Sequence, residues 1–161
     1  VGVAGSDAKV DYICNELGFA GGFNYKTASD YGETLGPLCP DGIDVYFDNV
    51  GGSVSDAVFL QLNIGARISV CGQISQYNLK RPERGLRQTW LFITKRLSMR
   101  GFLVFDFAER YVEALHALAG WVQEGKLSYR EDIVDGLENA PAAFIGMLQG
   151  DNTGKRLVSV A

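Results

Sequence analysis

Apolar residues along the chain fall into two patterns. Some sit in short consecutive runs, and others recur at every third or fourth position. Val1, Val3 and Ala4 read as a strand, Gly5-Ser6 as a turn and Asp7-Ala8-Lys9 as the first turn of a helix. Val10, Ile13, Cys14 and Leu17 continue one helix face, with Ser6 or Asp7 as N-cap and Gly18 as the stop. Residues 22–25 read as a short strand. Ser29 to Cys39 predicts a helix, weakened by Gly32, Gly36 and Pro37. After the turn Pro40-Asp41-Gly42, residues 43–48 form a run of buried-strand type. Ser53 to Leu62 predicts a helix with Val54, Ala57, Val58 and Leu62 on one side, and Arg67 to Cys71 a strand followed by Gly72.

The alternation persists in the second half. A polar, basic loop runs from Gln73 to about Gly85, and helix is predicted over Leu86–Leu97 and strand over Gly101–Phe105. The longest helix is predicted over Phe107–Glu124. Tyr129–Ile133 is extended, Pro141–Leu148 is helical with proline at its tolerated start, and Arg156–Val160 is a closing strand. Strands alternating with helices at this spacing predict an α/β fold, a Rossmann-like doubly wound parallel sheet. Ligands of such sheets lie beyond the carboxyl ends of the strands, so those ends hold the candidate chemistry.

Composition narrows the classes. The 161 residues suffice for one domain with a core, and 47% of them are hydrophobic. No apolar run approaches the roughly 20 residues of a membrane span. A net charge of −4 argues against nucleic acid as partner. Three widely spaced cysteines, Cys14, Cys39 and Cys71, suit free thiols in a reducing, cytoplasmic setting. His116 is the single histidine and there is no CxxC, so no metal site is expected. No G-x-S-x-G elbow accompanies His116 to suggest a hydrolase.

At the first strand end, Gly5-Ser6 stands where a fold preferring NAD puts an acidic residue for the ribose 2′-hydroxyl. Small residues leave room for a 2′-phosphate, and Lys9 supplies a countercharge at the helix start. An ordinary capped helix with a solvated lysine accounts for the same residues. At the third strand end comes Asp48-Asn49-Val50-Gly51-Gly52, where glycines allow a backbone to approach a ligand closely. A tight strand-to-helix turn is the plainer account. At the fourth comes Cys71-Gly72-Gln73-Ile74-Ser75-Gln76-Tyr77, in which the Tyr77 phenol is able to hydrogen-bond a developing oxyanion. An exposed loop tyrosine is the alternative. Lys80, Arg81, Arg84 and Arg87 are read mainly as a solvated face. No GxGxxG precedes the first strand, which fits a chain beginning at the second strand of its fold.

Taken in order, AGSDAK, FNYKT, PDGIDVYFDNVGG, CGQISQYN, KRLSMRGFLVFDF, YREDIVDGLENAP and GDNTGKRLVSVA resemble the medium-chain dehydrogenase/reductase superfamily. Within it they resemble the zinc-independent branch of prostaglandin reductases, leukotriene 12-hydroxydehydrogenases and curcumin-reductase-like enzymes. The resemblance spans nearly the whole chain. It implies NADP(H) as cofactor and reduction of the carbon–carbon double bond of an enone or enal, with hydride added at the β-carbon. By the same resemblance Lys9 meets the 2′-phosphate, Tyr25 the adenosine end and Asn49 the nicotinamide side. Cys71, Gly72, Gln73, Ile74, Ser75, Gln76 and Tyr77 line the cofactor cleft, and Tyr77 is the catalytic candidate that steadies the enolate or relays its proton. Phe102, Leu103, Val104, Phe105, Asp106, Phe107 and Ala108 flank the nicotinamide, and Asn152 is a further contact.

The resemblance also implies a catalytic lobe, a first strand and a glycine-rich pyrophosphate turn that residues 1–161 do not contain. The chain is therefore expected to be part of a nucleotide-binding domain, inactive alone and with two strand edges unpaired. A homodimer through this domain is expected. Two other readings stay open: a quinone reductase of the same superfamily, and a non-catalytic nucleotide-binding or dimerisation module. A methyltransferase fits less well, because Gly5-Ser6 replaces the acidic residue it wants after the second strand.

Overall fold

A computed structural model describes residues 1–160. The chain divides into two compact units, residues 1–108 and residues 109 onward. In the first, β1 (Gly2–Ala4) pairs in parallel with β2 (Gly22–Asn24), while β3 (Ile43–Asp48), β4 (Leu62–Val70) and β5 (Ser98–Gly101) form a second parallel ladder in that order. The helices are α1 (Asp7–Asp11), α2 (Tyr31–Leu38), α3 (Gly52–Gln61) and α4 (Thr89–Thr94). The second unit holds α5 (Tyr111–Gln123), α6 (Ala140–Gln149) and the parallel pair β6 (Glu131–Asp135) and β7 (Lys155–Ser159). The α/β class with parallel strands holds throughout. Among the described residues of the first unit the strands lie in two ladders, and β1–β2 is not hydrogen-bonded to β3–β4–β5.

One face of the β3–β4–β5 ladder carries the core. Leu62, Ala66 and Ile68 of β4 pack with Leu35, Val58, Leu91 and Leu97 from the helices and their flanks, and with Phe23 of β2. Removing a leucine from water stabilises by about 1.5–3 kcal/mol, so Leu62 and Leu91, the most enclosed of these, matter most. Val45 and Phe47 point to the other face and are 59% and 61% exposed.

Several predicted boundaries move, most for an identifiable physical reason. The first helix keeps α-geometry only to Asp11. Residues 12–16 widen into a π-turn, in which Leu17 N–H reaches the Tyr12 carbonyl and Phe19 N–H reaches that of Ile13, with Gly18 at φ 71°. Ser6, not Asp7, caps α1, accepting from Lys9 N–H at 3.3 Å. Strand β4 starts at Leu62 rather than Arg67, and its register against β3 jumps from Ile43↔Leu62 to Val45↔Arg67. The helix expected over 86–97 shrinks to α4 because its first residues are tied to α3. Leu86 N–H and the Gln88 side-chain amide donate to the carboxylate and carbonyl of Asp56.

The strand expected over 101–105 lies at 98–101 instead. Its register, Arg67↔Ser98 to Val70↔Gly101, runs out where β4 ends. Asp106 then accepts from Leu103 N–H at 3.1 Å and turns the chain into the 3-10 stretch Val104–Arg110. Consequently α5 starts at Tyr111, not Phe107.

Candidate functional site

The carboxyl ends of β4 and β5 and the segments after them form a groove of about 480 Å³ lined by Val70, Cys71, Gly72, Gln73, Tyr77, Gly101, Phe102, Leu103 and Asp106. The β3 exit is organised by Asp48, which is 2% exposed. Its Oδ1 accepts from the N–H groups of Val50 and Gly51, both at 2.9 Å, and its Oδ2 from the Ser55 hydroxyl at 2.8 Å. Tyr46 lies 2.9 Å from Ser55 Oγ, and burial drives its phenol well above the ordinary tyrosine range. Gly51 and Gly52 take φ of 68° and 66°, which side-chain-bearing residues rarely adopt. The turn thus brings Asn49 to the groove end of β3.

The β4 exit loop is stitched to that turn. Cys71 N–H donates to the Asp48 carbonyl at 2.7 Å, Ile74 N–H to Asn49 at 3.1 Å and Ser75 N–H to Val50 at 3.1 Å. Gly72 occupies the tightest point. A Cβ there would stand 2.6 Å from Asn49 Oδ1 and 2.8 Å from the Tyr77 hydroxyl, so the missing side chain is what lets these two polar atoms converge. The Tyr77 oxygen accepts from Gln73 N–H at 3.0 Å. That bond occupies a lone pair and leaves the phenolic proton free to be donated elsewhere. The ring is 64% exposed, so a ligand can reach it.

The segment after β5 completes the wall. Phe102, Leu103 and Asp106 face the groove. Phe107 packs edge-on against Phe102 at 6.0 Å between ring centroids, and Phe102 also tilts against Phe47 at 6.4 Å. Val104, Phe105 and Ala108 are exposed on the same segment and do not line the groove. Ile74, Ser75 and Gln76 form a 3-10 turn behind it, and Gln76 donates to Glu83 at 3.0 Å.

The remaining predicted residues gather elsewhere. At the ends of β1 and β2, Tyr25 stands over Gly5, whose Cβ would be 3.1 Å from the ring, with Lys26 at 3.4 Å. Lys9 lies half-buried in the last turn of α1. The Asp7 carboxylate, a complication for phosphate at this end, is engaged by Asn24, whose amide donates to it at 2.8 Å. Asn152 belongs to the second unit, where its amide donates to the Gly154 carbonyl. The sequence reading passed over Asp48, Ser55 and Lys26. A buried-strand run ending in aspartate just before Asn-Val-Gly-Gly was the available signal for the first.

Residues 17–158 match the family described as zinc-binding dehydrogenase. The chain belongs to that family, within the medium-chain dehydrogenase/reductase superfamily. It is 46% identical to the NADP(+)-dependent 2-alkenal reductase of Nicotiana tabacum, covering 100% of this chain and 47% of the relative. It is 48% identical to prostaglandin reductase 1 of Rattus norvegicus, covering 98% and 48%. The solved structure of CurA from Vibrio vulnificus in complex with NADPH superimposes at a TM-score of 0.92 with 43% identity, over 99% of this chain and 48% of that one. The chain therefore spans about half the length of the relatives it matches. The family's description refers to zinc. Among the described residues of this zinc-binding dehydrogenase family member, no three His, Cys, Asp or Glu side chains gather as a metal site.

Proposed function

We propose that this chain is the nucleotide-binding part of an NADPH-dependent reductase of the carbon–carbon double bond in α,β-unsaturated ketones and aldehydes. The observation that carries the reading is the convergence of Asn49 Oδ1 and the Tyr77 hydroxyl on side-chain-free Gly72, at the carboxyl ends of adjacent parallel strands. The groove beside them, about 480 Å³, is where the nicotinamide end of the nucleotide is proposed to sit. The names of the tobacco and rat relatives, and the NADPH bound to CurA, support the same chemistry.

When bound, NADPH supplies the hydride that adds to the substrate's β-carbon. This chain's residues hold and polarise. Asn49 takes the nicotinamide side, and Cys71, Gly72, Gln73, Tyr77, Phe102, Leu103 and Asp106 line the cleft. Lys9 and Tyr25 serve the 2′-phosphate and adenosine end, where Gly5-Ser6 brings no carboxylate of its own. The Asp7 carboxylate at this end accepts a hydrogen bond from the Asn24 amide. As hydride adds, negative charge develops on the substrate oxygen. Tyr77, its own oxygen already held by Gln73 N–H, donates its proton toward that charge. Tyr77 thereby favours the transition state over the ground state, which raises kcat. The same reading takes the natural-length protein as a cytoplasmic homodimer, and among the described residues no helix is long and apolar enough to cross a membrane.

The test is kinetic, on the protein at its natural length. Tyr77→Phe is expected to lower kcat for an enone by at least about tenfold while KM for NADPH changes little. An unchanged kcat overturns the assignment. Lys9→Ala is expected to weaken NADPH by about 1.5–3 kcal/mol with a much smaller effect on NADH. Equal losses for both nucleotides refute the phosphate contact.

A further inference from the structure

We infer that Asp48 is a positioning residue, whose carboxylate holds the β3 exit turn and, through the carbonyls of that turn, the loop that carries Tyr77. The inference rests on the reductase reading above.

The geometry is specific. Val50 and Gly51 present two converging N–H groups, and a single carboxylate oxygen receives both at 2.9 Å. A turn with two successive residues at φ 68° and 66° does not hold itself, and this oxygen pins it. The other oxygen takes the Ser55 proton at 2.8 Å. Ser55 has one hydroxyl proton, so the Tyr46 phenol 2.9 Å away donates to Ser55 Oγ and closes a directional chain ending on Asp48. Once pinned, the turn offers its carbonyls to the next loop. Asn49 accepts from Ile74 N–H at 3.1 Å, and Val50 accepts from Ser75 N–H at 3.1 Å and Ser75 Oγ at 2.6 Å. The stretch Gln73–Tyr77 closes on itself through the bond from Gln73 N–H to the Tyr77 oxygen. A buried carboxylate is a poor device for stability alone, since apolar groups of similar size serve a core as well or better. Its use here is geometric.

The prediction concerns coupling between the two loops. Asp48→Ala in the natural-length protein is expected to lower kcat for an enone by about tenfold or more. Asp48→Asn keeps an oxygen for both turn N–H groups and is expected to stay within about threefold of wild type. Combined with Tyr77→Phe, Asp48→Ala is expected to add almost nothing, because both remove one function. Multiplying losses overturn the inference. A readout without cofactor is amide hydrogen exchange. In Asp48→Ala, exchange is expected to accelerate about tenfold in both 49–53 and 71–77 and little elsewhere. Acceleration in 49–53 alone, or uniformly across the first unit, overturns the inference. If Asp48→Ala does not fold, Ser75→Ala removes an exposed hydroxyl that joins the two loops and is read by the same exchange and coupling comparisons, with the same overturning outcomes. Absence of enone turnover in the wild type defeats the reductase reading, while the exchange pattern still decides the coupling.

Discussion

The two units use the same materials, parallel strand pairs flanked by helices, and hold themselves together differently. The first buries a continuous apolar cluster from Phe23 to Leu97 under one face of its three-stranded ladder. In the second, among the described residues, Ala143 alone is buried, and α5 leaves Leu115 64% and Trp121 49% exposed. What the second unit has is polar. Arg156 meets Asp132 at 3.1 Å across the β6–β7 ladder, and Asp132 also accepts from Thr153 N–H at 2.8 Å. The groove lies in the first unit, at the ends of the strands whose middles are packed against that core. Apolar packing far from water resists shear, so the strand ends it anchors hold Asn49 and Tyr77 to a fixed geometry. A unit held mainly by backbone ladders and a partly exposed ion pair opens more easily.

The sharpest test compares leucines. In urea unfolding of this chain, Leu62→Ala or Leu91→Ala is expected to cost about 2–5 kcal/mol, because each leaves a cavity in a packed site. Leu115→Ala on α5 is expected to fall within about 0.5 kcal/mol of wild type. Equal costs at the two positions would erase the contrast. Next in size is the ion pair. Asp132→Ala is expected to destabilise the second unit by about 1–2 kcal/mol, a value discounted because both partners are partly exposed. The midpoint of the first unit's transition should not move. A shift there instead, followed by site-specific fluorescence or amide exchange, would show that the two units do not unfold separately.

The smallest effect is a pH slope in the first unit. Burial raises the folded-state pKa of Tyr46 above the unfolded value of 10.0, so the folded state binds this proton more tightly. Its contribution is fully present below that unfolded value and is lost as pH rises through the folded one. Stability should therefore decline above about pH 10, and Tyr46→Phe should flatten that decline. A Phe variant with the same alkaline slope would place the titration elsewhere.

Much of the architecture was legible because its signal is local. Period-two and period-3.6 spacing marked nearly every element, and the rule that ligands sit at strand carboxyl ends pointed to Asn49, Gly72 and Tyr77, which the fold does bring together. The misplaced elements have distant causes. Strand β5 stops at Gly101 because β4 runs out, and Phe102-Leu103 looks like strand until Asp106 caps the turn. Residues 86–88 read as helix until Asp56, about thirty positions earlier, claims their donors. Lys26 gave no sign of its place beside Gly5, because that place depends on how β1 and β2 pair. What the sequence determined by itself was the order and type of the elements, the absence of a carboxylate at Gly5-Ser6, and the residues able to act at each strand end, since these depend on neighbours a few positions away. Strand register, the burial of Asp48 and the meeting of Asn49 with Tyr77 were decided only in three dimensions, because each depends on which hydrogen-bonding groups distant segments leave unpaired as they pack.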